Sequence, residues 1–261
     1  MSNFRVLTIG GYISYRALFG WLNPFSYTFT LLLPSLTQLA FFVYLGRAAH
    51  VASDSYYVAG NALVAAATPS LFGMAQAIAG ERYTHTLALL VVSPANRIAL
   101  FLGRALPATV NGIVISVWTF VVAALLFGIS IPGSAVAPLA LTIVVTSFAC
   151  VGIGLFNASL GLRWRETGVL GNLLLYMLLL FAGVNVPLDR LPGWMSTAAQ
   201  GLPVTHGANA ARQILAGAPF GHVARLIAAE ALVGGVYVVI GLVTLAFFEV
   251  EARRGATLEV A

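Results

Sequence analysis

Apolar residues run through this chain in blocks too long for a soluble fold, broken by short segments where charge and proline collect. Six blocks stand out, at about 24–45, 56–79, 98–127, 136–162, 168–186 and 223–248. An α-helix rises about 1.5 Å per residue, so roughly 20 apolar residues cross a hydrocarbon core of roughly 30 Å. Every block meets or nearly meets that length. The third exceeds it, which predicts a tilt or a start below the membrane surface. None alternates polar and apolar residues over segments of roughly 10, as the strands of a membrane β-barrel do. The pattern predicts an all-α membrane protein: one domain over residues 1–261, with six transmembrane helices within 24–248 and a short tail at 249–261.

Two stretches outside the blocks also read as helical. In residues 1–23, Arg5, Thr8, Tyr12 and Arg16 recur at helical spacing, with Leu7, Ile9, Ile13, Leu18 and Trp21 supplying apolar surface elsewhere. That predicts an amphipathic helix in the membrane interface, stopped at Asn23-Pro24. Residues 187–222 are too polar for a span and too apolar for a free loop. Pro187, Pro192, Pro203 and Pro219 divide them into short pieces. The expected form is a re-entrant external hairpin between helices five and six, with short helices at about 193–201 and 205–216. Irregular backbone at that depth has to be covered by protein or face water.

Composition strengthens the class. The chain is 60% hydrophobic and only 8% charged, against about 45–50% and about 25% in soluble domains. Net charge is +5 and every basic residue is arginine. These arginines flank apolar runs, which marks membrane orientation and not a nucleic-acid surface. Arg5, Arg16, Arg82, Arg97, Arg163, Arg165, Arg253 and Arg254 fall on the side of the termini, and Arg47, Arg190 and Arg212 on the other. Eight against three places both termini in the cytoplasm. Arg5 and Arg16 interrupt any cleavable leader pattern. The single cysteine, Cys150, lies inside an apolar run and reads as a small core residue.

Catalytic signatures are missing from the sequence. It has no GxxxxGK[ST] loop, no HExxH and no paired Cys–His or Asp-rich metal motif. Gly152, Gly154, Gly234 and Gly235 read as small-residue contacts that let helices approach. Arg104 and Arg225 lie near span ends and can snorkel to the interface. Glu230 lies deeper. An intramembrane carboxylate is a functional candidate by default, and the alternatives are a structural hydrogen bond or a pair with Arg225. Asn61, Gln76, Asn111, Asn157, Asn172 and Asn185 read mainly as polar glue between helices.

The segment GERYTHTLALLVVSPANR, residues 80–97, keeps charge where charge is scarce. Its Glu81, Arg82, Thr86, Leu87, Leu89, Leu90, Ser93, Pro94 and Arg97 resemble the stretch between the second and third spans of ABC-2 type transporter permeases. That stretch commonly reads E-R-x-x-G-T-L-E-x-L-L-x-x-P-x-x-R. His85 stands where glycine is usual, and Ala88 where glutamate is usual. A second resemblance covers Gly183, Val184, Pro187, Leu191, Pro192, Trp194, Leu202, Pro203, His206, Ala210 and Arg212. The order of elements is also similar to that family over essentially the whole chain.

The resemblance implies a transmembrane subunit of an ATP-driven exporter. It would pair with a second permease, as homodimer or heterodimer, and with two separate ATPase subunits. ATP and magnesium would be bound by the ATPase, with no cofactor on this chain and no nucleic-acid partner. Residues 80–97, with Glu81, Arg82, Thr86, Leu87, Leu90, Pro94 and Arg97, would form the coupling helix. Pro187, Pro192, Trp194, Pro203, His206 and Arg212 would belong to the external hairpin. Spans one and five are the usual path lining in relatives. The expected location is the plasma membrane, in contact with its lipids, and the expected cargo a hydrophobic or amphipathic compound. Other readings are an ion- or proton-coupled carrier, a permease for a lipid-linked glycan, and a membrane-embedded enzyme.

Overall fold

The computed structural model describes residues 12, 23–76, 97–161, 164 and 167–255. Described residues are helices and connecting turns. In chain order they are α1 (Pro24–Ala49), α2 (Asp54–Gln76), α3 (Arg97–Phe127), α4 (Gly133–Leu160), α5 (Thr167–Phe181), α6 (Gly193–Ala199), α7 (Thr205–Leu215) and α8 (Phe220–Gly255). Apart from Tyr12 and Asn23, the expected interfacial helix at 1–23 lies outside the described residues. So does the stretch 77–96, which holds most of the expected coupling segment.

Five helices, α1, α2, α3, α4 and α8, are long and apolar enough to cross a membrane. The fifth block behaves differently from its expected 168–186. Its helix stops at Phe181 after 15 residues, about 22 Å at the helical rise. Gly183 at φ +69 ends it with a left-handed turn, and a Cβ there would meet Leu188 Cγ at 2.9 Å. Asn185 then caps the helix end by donating to the Leu179 carbonyl at 3.2 Å.

Prolines and caps explain the other boundaries. Asn23 accepts the Ser26 N–H at 2.7 Å, and Pro24 takes the first helical position of α1. Pro34 has no N–H to give the preceding turn, which opens into a π segment at Thr28–Leu32. Pro69 opens a second π segment, Pro69–Gly73, within α2. His50 closes α1 in the left-handed region, with φ 52. Across that turn Arg47, in the last turn of α1, pairs with Asp54, in the first turn of α2. Each charge sits at the helix end whose dipole favours it.

Helix α2 is the central pillar. Of its most apolar window, 83% is buried against protein, whereas α1 and α8 bury 17% of theirs. Helix α1 packs on α2 and α3, and α7 and α4 close the other side of α2. Helix α5 runs antiparallel to α2: Gly171 lies against Phe72, while the Gly183 carbonyl meets the Tyr56 hydroxyl.

Polar side chains stitch these helices together. Tyr27 donates to Asn111 at 2.7 Å, Ser35 bonds Thr119 at 2.8 Å, and Asn61 donates to Asn185 at 2.8 Å. Asn157 donates to the carbonyls of Leu71 and Thr167. Bonds of this type contribute about 0.6 kcal/mol each on average in membrane proteins. Asn172 does not act as the expected glue, because it bonds back to Gly168 of its own helix, and Gln76 is exposed with no side-chain bond to a described residue.

Helices α4 and α8 run parallel and share the longest seam. Ala149 lies against Gly234, Gly152 against Tyr237 and Leu155 against Gly241. A Cβ on Gly234 would come within 2.7 Å of Ala149 Cα, and one on Gly241 within 2.9 Å of Leu155 Cβ. Gly235, the other candidate, faces open space. Gly234→Ala is therefore expected to cost about 1–3 kcal/mol through overpacking. Gly235→Ala should be neutral or slightly stabilising, because alanine is the better helix former. Thermal unfolding of both variants in detergent checks the pair; equal midpoints would mean the seam is looser than its glycines indicate.

Candidate functional site

The residues richest in polar contacts gather at one end of the bundle, where the turns at 50–53 and 128–132 meet the segment 182–219. Helices α1 and α3 end there and α2 begins there. Gln76 and Arg97, the described flanks of 77–96, lie at the opposite ends of α2 and α3.

Arg212, in the last turn of α7, is the hub of that end. Its Nη2 donates to the carbonyls of Gly183 at 2.8 Å and Val184 at 3.1 Å. Nε reaches the Tyr56 carbonyl at 3.3 Å, and Nη1 the Asn209 side chain at 3.2 Å. The guanidinium lies 3.5 Å from the centroid of the Tyr56 ring. The Tyr56 hydroxyl donates to the same Gly183 carbonyl at 2.6 Å. Three elements, α2, α7 and the turn after α5, are thus tied by one fixed cation. Gly60 makes this possible, since a Cβ there would sit 2.8 Å from Nη2 and 2.9 Å from the Val184 carbonyl.

Glu230 is the second hub. Its side chain is fully buried in α8. Oε1 accepts the Val204 N–H at 2.6 Å and Oε2 the Gly207 N–H at 3.0 Å. The carboxylate thereby caps the N-terminus of α7 from another helix, satisfying orphan donors where the helix dipole favours negative charge. Val204 itself has φ +76, an uncommon conformation for a β-branched residue. Its bond to Glu230 holds it there. Of the readings open for Glu230, this is the structural hydrogen bond; Arg225 is exposed and makes no ion pair with it. Gly207 is required here too, because a Cβ would collide with the Thr146 hydroxyl on α4.

Two cavities flank the Arg212 hub. One, about 480 Å³, lies over Ser55, Tyr56, Ser130 and Arg212. The other, about 460 Å³, opens between α1, the start of α2 and residues 185–190. Phe42, Leu45, Gly46, Tyr57 and Val186 make its apolar walls, with His50, Asn185 and Arg190 as polar groups. Gly46 lets the Tyr57 ring lie flat against α1; any side chain there would collide with it.

The expected hairpin residues fall around these features. Pro187 precedes a short 3₁₀ turn, Leu188–Arg190, and Pro192 precedes α6. Trp194 projects from α6 and is 70% exposed. Pro203 is buried in the turn before α7. His206, in the first turn of α7, bonds the Gln200 carbonyl at 2.9 Å. The two short helices sit close to their expected bounds. Among the expected coupling residues, Glu81, Arg82, Thr86, Leu87, Leu90 and Pro94 lie outside the described residues, and Arg97 is described only as the start of α3. The pattern reading missed Tyr56, Gly60, His50 and Arg190. A glycine two turns into a span was the one signal available for the first pair.

Replacing Arg212 by Lys keeps the charge but offers one ammonium to acceptors that need a planar fork. Hydrogen bonds to charged groups contribute about 1.5–3 kcal/mol each. Arg212→Lys is therefore expected to destabilise by about 2 kcal/mol or more and to speed proteolytic cutting between residues 182 and 192. Unchanged melting and cutting would show that the hub is dispensable. Glu230→Gln places an amide donor against a backbone N–H, orphaning one buried donor at a cost of about 1–3 kcal/mol. Its thermal midpoint in detergent should fall at neutral pH; an unaltered midpoint would remove the capping role.

A family model described as ABC-2 type transporter matches residues 18–216. No curated protein matches the chain. The matched residues take in α1 to α5, the segment 77–96 and the α6–α7 hairpin, so Arg212 and both cavities fall within them and Glu230 beyond them. A multi-pass helical membrane domain with this match over most of its length belongs to the ABC-2 type transporter family.

Proposed function

We propose that this chain is the permease subunit of an ATP-binding cassette exporter, giving a hydrophobic or amphipathic substrate its path across the plasma membrane. The observation that carries the reading is the cavity of about 460 Å³ at the meeting of α1, α2 and the turn after α5. It adjoins the first and fifth apolar blocks, the surfaces expected to line a path. The helices on either side of it, α1 (Phe25, Phe29, Phe41, Tyr44) and α5 (Val169, Leu173, Tyr176, Leu180), also expose large apolar side chains. Such surface suits lipid, a second permease copy or an apolar substrate.

In this reading α5 is the sixth crossing element despite its length. Helices α4 and α8 run parallel, so the chain has to return between them. Helix α5 and the turn after it, antiparallel to α2, make that return. The arginine distribution supports a cytoplasmic location for both termini, and with them residues 80–97. The hairpin end then faces outward. ATP binding and hydrolysis take place on a separate ATPase subunit, and residues 80–97 carry its movement into α2 and α3.

Two experiments test this. In the first, the chain is reconstituted with and without its ATPase subunit in vesicles. Uptake of a hydrophobic fluorescent substrate should require both the ATPase and ATP. Transport that survives loss of the ATPase would favour an ion-coupled carrier instead. In the second, Glu81→Ala with Arg82→Ala should insert normally yet lower substrate-stimulated ATP hydrolysis several-fold. Unchanged hydrolysis would take the coupling role away from this segment.

A further inference from the structure

We propose that the cavity between α1, the start of α2 and residues 185–190 selects amphipathic substrates that carry an anionic group, a carboxylate or a phosphate. This rests on the reading of that cavity as part of the transport path. The inference comes from its unequal lining. His50 and Arg190 are polar groups able to donate to an anion, Asn185 adds an amide, and among the described residues no carboxylate lines the cavity.

Nearby acids do not neutralise this edge. Asp54 is engaged by Arg47, whose Nε donates to it at 3.0 Å. Asp189, next to Arg190 in the chain, is exposed and does not line the cavity. Arg190 itself is exposed and makes no side-chain hydrogen bond or ion pair with any described residue. Of the other arginines near this end, Arg47 is paired, Arg212 is spent on backbone carbonyls, and Arg225 does not line the cavity. One guanidinium is thus left with its planar fork free at the mouth of an apolar chamber, and that fork matches carboxylate or phosphate oxygens two at a time.

The rest of the chamber suits the other half of such a molecule. Phe42, Leu45 and Tyr57 make a continuous apolar wall. A volume of about 460 Å³ lies within the roughly 300–1,000 Å³ typical of small-molecule sites. The position of His50 is fixed by its left-handed cap and its N–H bond to the Arg47 carbonyl at 3.3 Å. Arg190 follows from the 3₁₀ turn that the left-handed Gly183 sets up. Both groups are therefore presented by capped, defined turns.

The test uses the full chain in phosphatidylcholine nanodiscs and a fluorescent amphiphile, dansylaminoundecanoic acid, beside its uncharged methyl ester. The acid should bind at least about tenfold more tightly than the ester, the equivalent of one charge-assisted hydrogen bond. Arg190→Gln should abolish that preference without shifting the thermal midpoint, Arg190→Lys should keep part of it, and His50→Gln should weaken it less. Equal binding of acid and ester, or a preference that survives Arg190→Gln, would overturn the proposal.

A bilayer headgroup carries the same chemistry as such a substrate. Replacing a third of the lipid by phosphatidylglycerol separates the two: probe binding should persist, and its loss in the wild type would reassign the site to lipid and overturn the substrate assignment. ATP-driven transport of acid and ester by the reconstituted complex separates this proposal from the permease reading. Transport without charge preference leaves the permease and removes the anion site. Charge-selective binding without ATP-driven transport does the reverse.

Discussion

One half-buried cation organises one end of this protein. Arg212 puts four donor contacts onto carbonyls and an amide from three different elements and lays its face on Tyr56. In a low-dielectric setting each unsatisfied carbonyl would cost several kcal/mol. The turn after α5 exposes two carbonyls that no helix can take, those of Gly183 and Val184. Arg212 satisfies both through Nη2 and still has Nε and Nη1 for Tyr56 and Asn209, contacts that a single ammonium cannot spread across. Around that fact the neighbouring residues are arranged: Gly60 for clearance, Tyr56 for a stacking face, Asn209 for the remaining N–H.

The same logic runs through the interior. Hydrophobic burial does little to hold helices together in lipid, since lipid is as apolar as leucine. Order then comes from close approach and from polar pairs. The α4–α8 seam uses the first, with Ala149, Gly152, Gly234 and Gly241 bringing backbones into contact. The α1 boundary uses the second, through Tyr27 with Asn111 and Ser35 with Thr119. Helix α2 combines both, and its high burial follows from having neighbours on every side.

The long apolar runs made the five long helices legible in advance, because length against bilayer thickness is a one-dimensional test. Helix α5 was harder. Its run is apolar through Val186, but helix propensity lost to Gly183 and to the carbonyl acceptors that Arg212 requires. The α6 and α7 bounds were readable from Pro192 and Pro203, which cannot continue a helix from within. The two hubs were not readable. Glu230 stood out as a carboxylate in a span, but its partners are backbone N–H groups 23 and 26 residues earlier, and backbone donors leave no trace in a side-chain pattern. Tyr56, Gly60, His50 and Arg190 are ordinary residues until the fold brings their segments together.

The cap on α7 has a bearing on how the molecule is made. Val204 adopts its left-handed conformation against an acceptor that lies 26 residues further along the chain. During synthesis the turn at 203–207 leaves the ribosome before that acceptor does. The turn before α7 can therefore close only after α8 has packed beside α4. The start of α7 thus waits for its cap until Glu230 arrives.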